Sequence, residues 1–431
     1  MKQPPRRASR TAPVRPAPLA AAPVRNWLRQ PAYWLLMGLL LAGAWRLGAM
    51  LRPAVTAFPL STALAIVLFG LYAVPFMLFI RHLDYFEREP PVLLAAVFAW
   101  GALVAVTAAV PGNAALNSLV AKVGSPAFAA TWGPALAAPV VEEPLKLLGV
   151  VVVALLATEQ INSVVDGFVY GAVAGLGFQV IENVLYAANA VAAAGLGDRP
   201  GPVLTTLFAR GFVAGLWSHT LFSALAGAGV GYAVVRHERS RPTRAAFAAV
   251  CLLGALVCHG LWNSPLIAEG LRLGAPGVLV ELLVRGTPAL VVILALVRSA
   301  GQREASYYGT VLADLDDEQI ATPAEIQALA TPGGRAAARR TPAGFRGFRA
   351  VARLQRAQAH LAVELSRGGT PESGTARRWY REVLHSRRRL SVDPTSTQPP
   401  VPKGWRRWLV GALLAALIGL GLNLVLRALG L

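Results

Sequence analysis

Pro139-Val140-Val141-Glu142-Glu143-Pro144-Leu145-Lys146 lies inside an apolar run from about Pro134 to Ala157. A run of that length and character reads as a membrane-spanning helix, yet it carries two adjacent carboxylates and an ammonium. An ionised side chain at the bilayer centre costs about 2.5–3.5 kcal/mol even on lenient insertion scales, so these groups need compensation. At helical spacing Glu142 and Lys146 are four residues apart, and Glu143 and Lys146 three, so the ammonium reaches either carboxylate. An internal ion pair that only helps packing would account for one glutamate. The second, with a proline between it and the lysine, asks for partners elsewhere in the chain and marks the span as a functional candidate.

The chain around it has 431 residues, 55% apolar and 15% charged. That composition belongs to a polytopic membrane protein rather than to a soluble domain with one anchor. The formal net charge of +19 comes from basic residues gathered in the tails and a few loops. Such placement fits the positive-inside rule and contact with anionic lipid headgroups. No aromatic-interleaved basic motif or zinc-ligand spacing accompanies the charge, which argues against nucleic acid as a partner. Cys251 and Cys258 are seven residues apart on one apolar span, about 10 Å along a helix and too far for a disulfide.

Residues 1–31, rich in Arg, Pro and Ala, read as a disordered basic tail on the cytoplasmic side. The stretch at about 33–51 follows as an uncleaved signal anchor, because the basic region before it is long and Arg46 interrupts its far end. Further spans are expected at roughly 60–80, 91–111, 134–157, 164–190, 212–235, 245–263 and 277–297, and a last one at 408–429 behind Trp405-Arg406-Arg407-Trp408. With the amino terminus inside, the Arg and Lys clusters fall in the inner segments and the carboxyl terminus lies outside. The expectation is therefore an all-α, multi-pass cell-membrane protein of eight to nine transmembrane helices with a small helical cytoplasmic unit. Its parts are the tail at 1–31, a transmembrane domain at 32–298, a cytoplasmic helical region at 299–404 and a final transmembrane helix at 405–431. Gly167, Gly171 and Gly175, then Gly227 and Gly231, are spaced for close helix approach in lipid. In the cytoplasmic region Thr322-Pro323-Ala324-Glu325 is a capping box. Val351, Leu354, Leu361 and Leu365 line one face of a basic helix at about 345–367, and a second basic helix covers 373–390. The partner of this unit is not written in the sequence.

Polar residues inside the expected spans are few. Phe178-Gln179-Val180-Ile181-Glu182-Asn183 carries a carboxylate and a carboxamide. Ser218-His219-Thr220 follows, with Ser223 one turn on, and His259-Gly260-Leu261-Trp262-Asn263 puts His and Asn on one helix face. Each has a bland account as packing or hydrogen-bond glue, and Asp166 needs no more than an interfacial position. Their shared depth is harder to explain that way. Alternating span directions place Glu142, Glu182, His219, His259 and Asn263 in the outer half of the bilayer, at about 1.5 Å per residue. Independent packing residues have no reason to share a layer, whereas a convergent polar cavity does. Carboxylates, imidazoles and amides around a wet pocket suit water activation: one Glu as general base, His and Asn donating to a developing oxyanion. No serine elbow, cysteine dyad or HExxH is present.

These motifs, in this order, resemble the PrsW family of intramembrane proteases, whose pattern of EExxK, FxxxEN, a His in a following span and HxxxN stands here as Glu142–Lys146, Phe178–Asn183, His219 and His259–Asn263. The charged loop Asp84–Pro90 is similar to the family's acidic, proline-terminated loop, with Arg88 where proline is usual. The resemblance covers about residues 60–298 and extends to the related type II CAAX prenyl endopeptidases. It implies Glu142 as the base, with Glu143 and Lys146 tuning it. It also implies that His219 orients water and that His259 with Asn263 forms the oxyanion hole. Glu182 and Asn183 belong to the site with a less defined role. The resemblance further implies a membrane-protein substrate, typically an anti-sigma factor, cut on its extracytoplasmic side. No cofactor is expected, although these residues leave the need for a metal open, and His219, His259 and Glu182 are the ones that could hold zinc. Two other classes compete: a proton-coupled transporter, since Glu and His arrays also carry ions, and a non-catalytic membrane scaffold. No internal repeat supports the first.

Overall fold

The computed structural model describes residues 24–86, 88–213, 219–265, 274–341 and 344–391. The expected last span and most of the basic tail lie outside these residues. Among the described residues the chain is all helix, with no strands.

Helices α1 (Pro31–Ala57) and α2 (Pro59–Leu83) are joined through the single residue Phe58. Pro91–Val123 (α3) and Pro126–Leu156 (α4) follow. All four open on a proline, whose missing N–H is one the first helical turn leaves unused. Helix α3 widens into a π-helical segment at Trp100–Ala105. Its expected end near 111 is overrun by a dozen residues. Pro111 and polar Asn113 and Asn117 dilute the apolar run there, but packing on α4 carries the helix on: Gly112 lies against Val141 and Asn117 against Gly133. Helix α5 (Val164–Ala194) starts at a capping box in which Ser163 and Asp166 bond each other's backbone, and stops at Gly195 with φ 64°. Asp166, read from sequence as merely interfacial, is thus the start signal of the central helix.

Helix α6 (Gly201–Thr206) runs into a π-helical stretch, Leu207–Val213. Then come α7 (His219–Val235), α8 (Arg241–Asn263) and α9 (Gly274–Ala313). Helices α1, α2, α3, α5 and α8 are long and apolar enough to cross a bilayer, and α7 is apolar but only 17 residues long. The protein is a multi-pass helical membrane protein.

Helix α5 is the axle of the bundle, buried along nearly its whole length. On one side a Cβ at Gly167 would lie 2.4 Å from the carbonyl oxygen of Gly227, so α5 and α7 meet backbone to backbone. On the other, a Cβ at Gly101 of α3 would lie 2.0 Å from the carbonyl oxygen of Ala174. Without side chains between them, three helices are held close enough for short polar groups to meet.

Helix α9 continues past the expected end of its span into a second helical unit with α10 (Pro323–Leu329), α11 (Pro332–Arg340), α12 (Gly344–Ser366) and α13 (Gly374–Ser391). Its core includes Leu312, Ile320, Leu354, Leu361 and Val383. Val351 and Leu365, expected on the same face as Leu354 and Leu361, are only half-buried. The Thr322 capping box is formed. This unit closes around the loop between α2 and α3: Phe86 stacks on Tyr308 at 5.2 Å, and the Arg335 guanidinium sits 3.9 Å over the Tyr85 ring.

Candidate active site

The prolines of α4 prepare its surface. Pro139 has no N–H for the carbonyl of Ala135, and that oxygen lies where Gly260 of α8 comes closest, 3.0 Å from a built Cβ. Directly after Pro144 the carbonyl of Leu145 accepts Trp100 Nε1 at 2.8 Å. Helix α8 is thereby brought against the face that carries Glu142, Glu143 and Lys146, all buried.

Glu143 is saturated. Its Oε1 accepts from Lys146 Nζ at 2.6 Å and pairs with His259 Nδ1 at 2.9 Å, and its Oε2 accepts from Ser223 Oγ at 2.9 Å. Because a carboxylate only accepts, His259 donates from Nδ1 to Glu143, which turns its Nε2 toward Glu142. The Lys146 ammonium, which can only donate, also donates to His219 Nδ1 at 2.9 Å. His219 must then hold its proton on Nε2, which donates to Glu182 Oε2 at 3.0 Å. Both nitrogens of His219 are engaged.

Glu142 differs from its neighbour. Asn113 Nδ2 donates to its Oε1 at 2.8 Å, while the buried Oε2 has no hydrogen-bond partner among the described residues. That oxygen lies 3.5 Å from Lys146 Nζ, 3.6 Å from His219 Nδ1 and 4.0 Å from His259 Nε2. Glu142, not Glu143, borders a cavity of about 330 Å³, together with Glu182, Asn183, His219, His259 and Asn263. Phe222 stacks on His259 at 5.3 Å, and Phe178 lies under both the His219 ring and the Lys146 ammonium. The aromatic floor keeps both imidazoles edge to face at 5.0 Å.

The structure thus brings Glu142, Glu143, Lys146, Glu182, Asn183, His219, His259 and Asn263 together around one cavity and its wall, with three placements that differ from expectation. Asn263 lines the cavity, but its amide donates to the carbonyl of Pro134 at 3.1 Å. His259, expected as an oxyanion donor, is held at Nδ1 by Glu143 and faces Glu142 with Nε2. The carboxylate that shares a cluster with both imidazoles is Glu142 rather than Glu182, with candidate ligand atoms all within 4.8 Å. Glu182 is committed to His219 and to Arg210 Nη2 at 2.6 Å. Gln179, in the same stretch, takes Thr220 Oγ1 at 3.0 Å and donates to Tyr72 at 3.1 Å, bridging α2, α5 and α7.

Sequence reasoning missed Arg210, Asn113 and Asn117. Arg210 donates from Nε to Asn183 Oδ1 at 2.9 Å and covers the Tyr186 ring at 3.6 Å. It stands in the apolar stretch Leu204–Trp217, where the rule that flagged the glutamates would also have flagged it. Asn113 and Asn117 had no such signal, since they fall beyond the expected end of their span.

Residues 89–297 match the family model described as PrsW family intramembrane metalloprotease. No curated protein and no solved structure matches the chain. Every residue of the cavity lies within the matched range. The helices that build this site, residues 89–297, belong to the PrsW family of intramembrane proteases.

Proposed function

We propose that this protein is an endopeptidase that hydrolyses a membrane-embedded peptide with Glu142 as the base. The observation that carries the reading is Glu142 Oε2: buried, without a hydrogen-bond partner among the described residues, bordering the cavity, and 4.0 Å from His259 Nε2. One water fits between these two acceptors with a hydrogen directed at each. Its oxygen attacks the scissile carbonyl carbon as one proton passes to Glu142 Oε2. The oxyanion can take a hydrogen bond from Asn183 Nδ2, a buried donor with no partner among the described residues. Collapse breaks the C–N bond, and the proton on Glu142 leaves with the amine. His259, fixed by Glu143, orients the water; His219 and Lys146 hold the charges in place.

The family description names a metal, and the donors here can be tested against one. Catalytic zinc sites use three protein ligands. Glu142 Oε2 and His259 Nε2 are free to ligate, but the third candidate, His219, has both nitrogens engaged by Lys146 and Glu182. An ammonium 3.5 Å from Glu142 also opposes a cation there. The residues as arranged do not make a three-ligand site, which would require Lys146 to leave His219 Nδ1. No step is routed through zinc.

The amino terminus is read as cytoplasmic and the cut as lying near the extracytoplasmic face. The substrate is read as a single-span regulator of the anti-sigma-factor kind, the class the family resemblance implies. The test is cleavage of single-span substrates by wild type and Glu142→Gln in detergent, with termini read by mass spectrometry and with or without chelator. The expected outcome is cleavage lost in the variant and unchanged by chelator. Activity in Glu142→Gln would overturn the base, and loss on chelation would move the mechanism to a metal.

A further inference from the structure

Four buried polar atoms around the one cavity have no hydrogen-bond partner among the described residues: the acceptors Asn113 Oδ1, Asn117 Oδ1 and Glu142 Oε2, and the donor Asn183 Nδ2. Buried polar atoms are ordinarily paired, so four around one cavity call for a complementary ligand. Two of them fall to the reaction proposed above. The two on α3 remain.

At Asn113 the identity of the free atom as an acceptor follows from its other bond. Asn113 gives its Nδ2 to Glu142 Oε1 at 2.8 Å, which leaves the oxygen as the open end of the amide. Asn117 lies one helical turn further on, and its Oδ1 occupies the space where a Cβ of Gly133 would be, at 1.7 Å. Gly133 therefore makes room on α4 for the Asn117 carboxamide. Positions four apart on a helix are separated by about 6 Å along the axis. Alternate N–H groups on one side of an extended peptide recur at about 6.6–6.8 Å. A peptide helix that unwinds in lipid to expose a scissile bond loses its internal acceptors, and its freed N–H groups need others.

We propose that Asn113 and Asn117 form a binding edge for the backbone of an extended peptide substrate, each side-chain oxygen accepting one substrate N–H; this rests on the proteolytic reading of the adjacent site. The edge recognises main chain rather than side chains. It selects substrates that unwind readily and is indifferent to much of their sequence.

The experiment uses the full chain in detergent and a single-span peptide substrate in which single backbone N–H groups near the cut are replaced by ester oxygen. In wild type, one ester position should lower kcat/KM about tenfold, mainly through KM, as expected for one lost hydrogen bond. Asn117→Ala should show a similar loss with the all-amide peptide and no further loss with that ester. Asn117→Asp, which keeps an acceptor, should restore the ester sensitivity. Losses that multiply, or cleavage insensitive to every ester, would overturn the edge and leave the proteolytic reading standing. If wild type cleaves nothing, binding of the same peptides to Glu142→Gln decides. Ester-sensitive binding that Asn117→Ala abolishes upholds the edge while the proteolytic reading falls; ester-insensitive binding, or none, overturns the edge.

Discussion

On Glu143, Oε1 takes bonds from Lys146 and His259 and Oε2 takes one from Ser223, whereas Glu142 keeps Oε2 open. The two carboxylates should therefore fail differently. Glu143→Gln keeps one oxygen for Lys146 and His259 but removes the buried ammonium's hydrogen-bonded counter-charge, a loss of about 3–5 kcal/mol for one broken buried pair. It is expected to lower the melting temperature in detergent by several degrees and to abolish activity. Glu142→Gln keeps its Asn113 bond and is expected to abolish activity with little change in melting temperature. Equal thermal losses would contradict this division of labour. The anchoring half was legible, because Glu143 and Lys146 are three apart in one span. The choice of Glu142 as base came from the family resemblance alone, because its free oxygen depends on Asn113, an amide near the end of another helix that nothing in the local pattern ties to Glu142.

Between helices the deciding contacts are glycine to backbone. A Cβ at Gly171 would sit 2.2 Å from the carbonyl oxygen of Ser223, which leaves no flexible atom to move aside. Gly171→Val should force α5 and α7 apart and displace His219, the first residue of α7, and Ser223 with it. A loss of a few kcal/mol and of activity is expected, measured by thermal unfolding and cleavage. Gly38→Ala, on α1 with nothing within 4 Å, should change neither. This seam could be read from its four-residue spacing, and the Thr322 capping box gave the start of one helix in the second unit, while the Ser163–Asp166 box at the start of α5 was missed. The ends were harder. Helix α3 overruns Pro111 and π-helical turns stand at Trp100–Ala105 and Leu207–Val213, because tertiary packing sets where an apolar helix stops.

Across the whole molecule, the membrane bundle and the second helical unit are stitched at the α2–α3 loop, where acidic groups are buried. Burial, with Asp166 nearby, raises the Asp84 carboxyl to about 7. A folded-state value above the ordinary carboxylate value means that folding retains a proton the unfolded chain would release. Stability is then fullest below about pH 4, falls as pH rises to about 7, and is level above that. Asp84→Asn, which keeps an oxygen for the Glu89 N–H, should flatten that slope and raise the melting temperature near neutral pH. Unfolding scans across this range would show an unchanged slope if Asp84 is not responsible. The same loop touches the axle of the bundle, for Tyr170 of α5 donates to Glu89. Twelve residues on, the same helix carries Glu182 and Asn183, with no proline or turn between. Helix α5 is thus a stiff lever of about 18 Å between a loop held by the outlying helices and the carboxylate that steadies His219. A tilt imposed at the Tyr170 end has no joint in which to dissipate. One unbroken helix thus connects the candidate active site to the loop that the second helical unit holds.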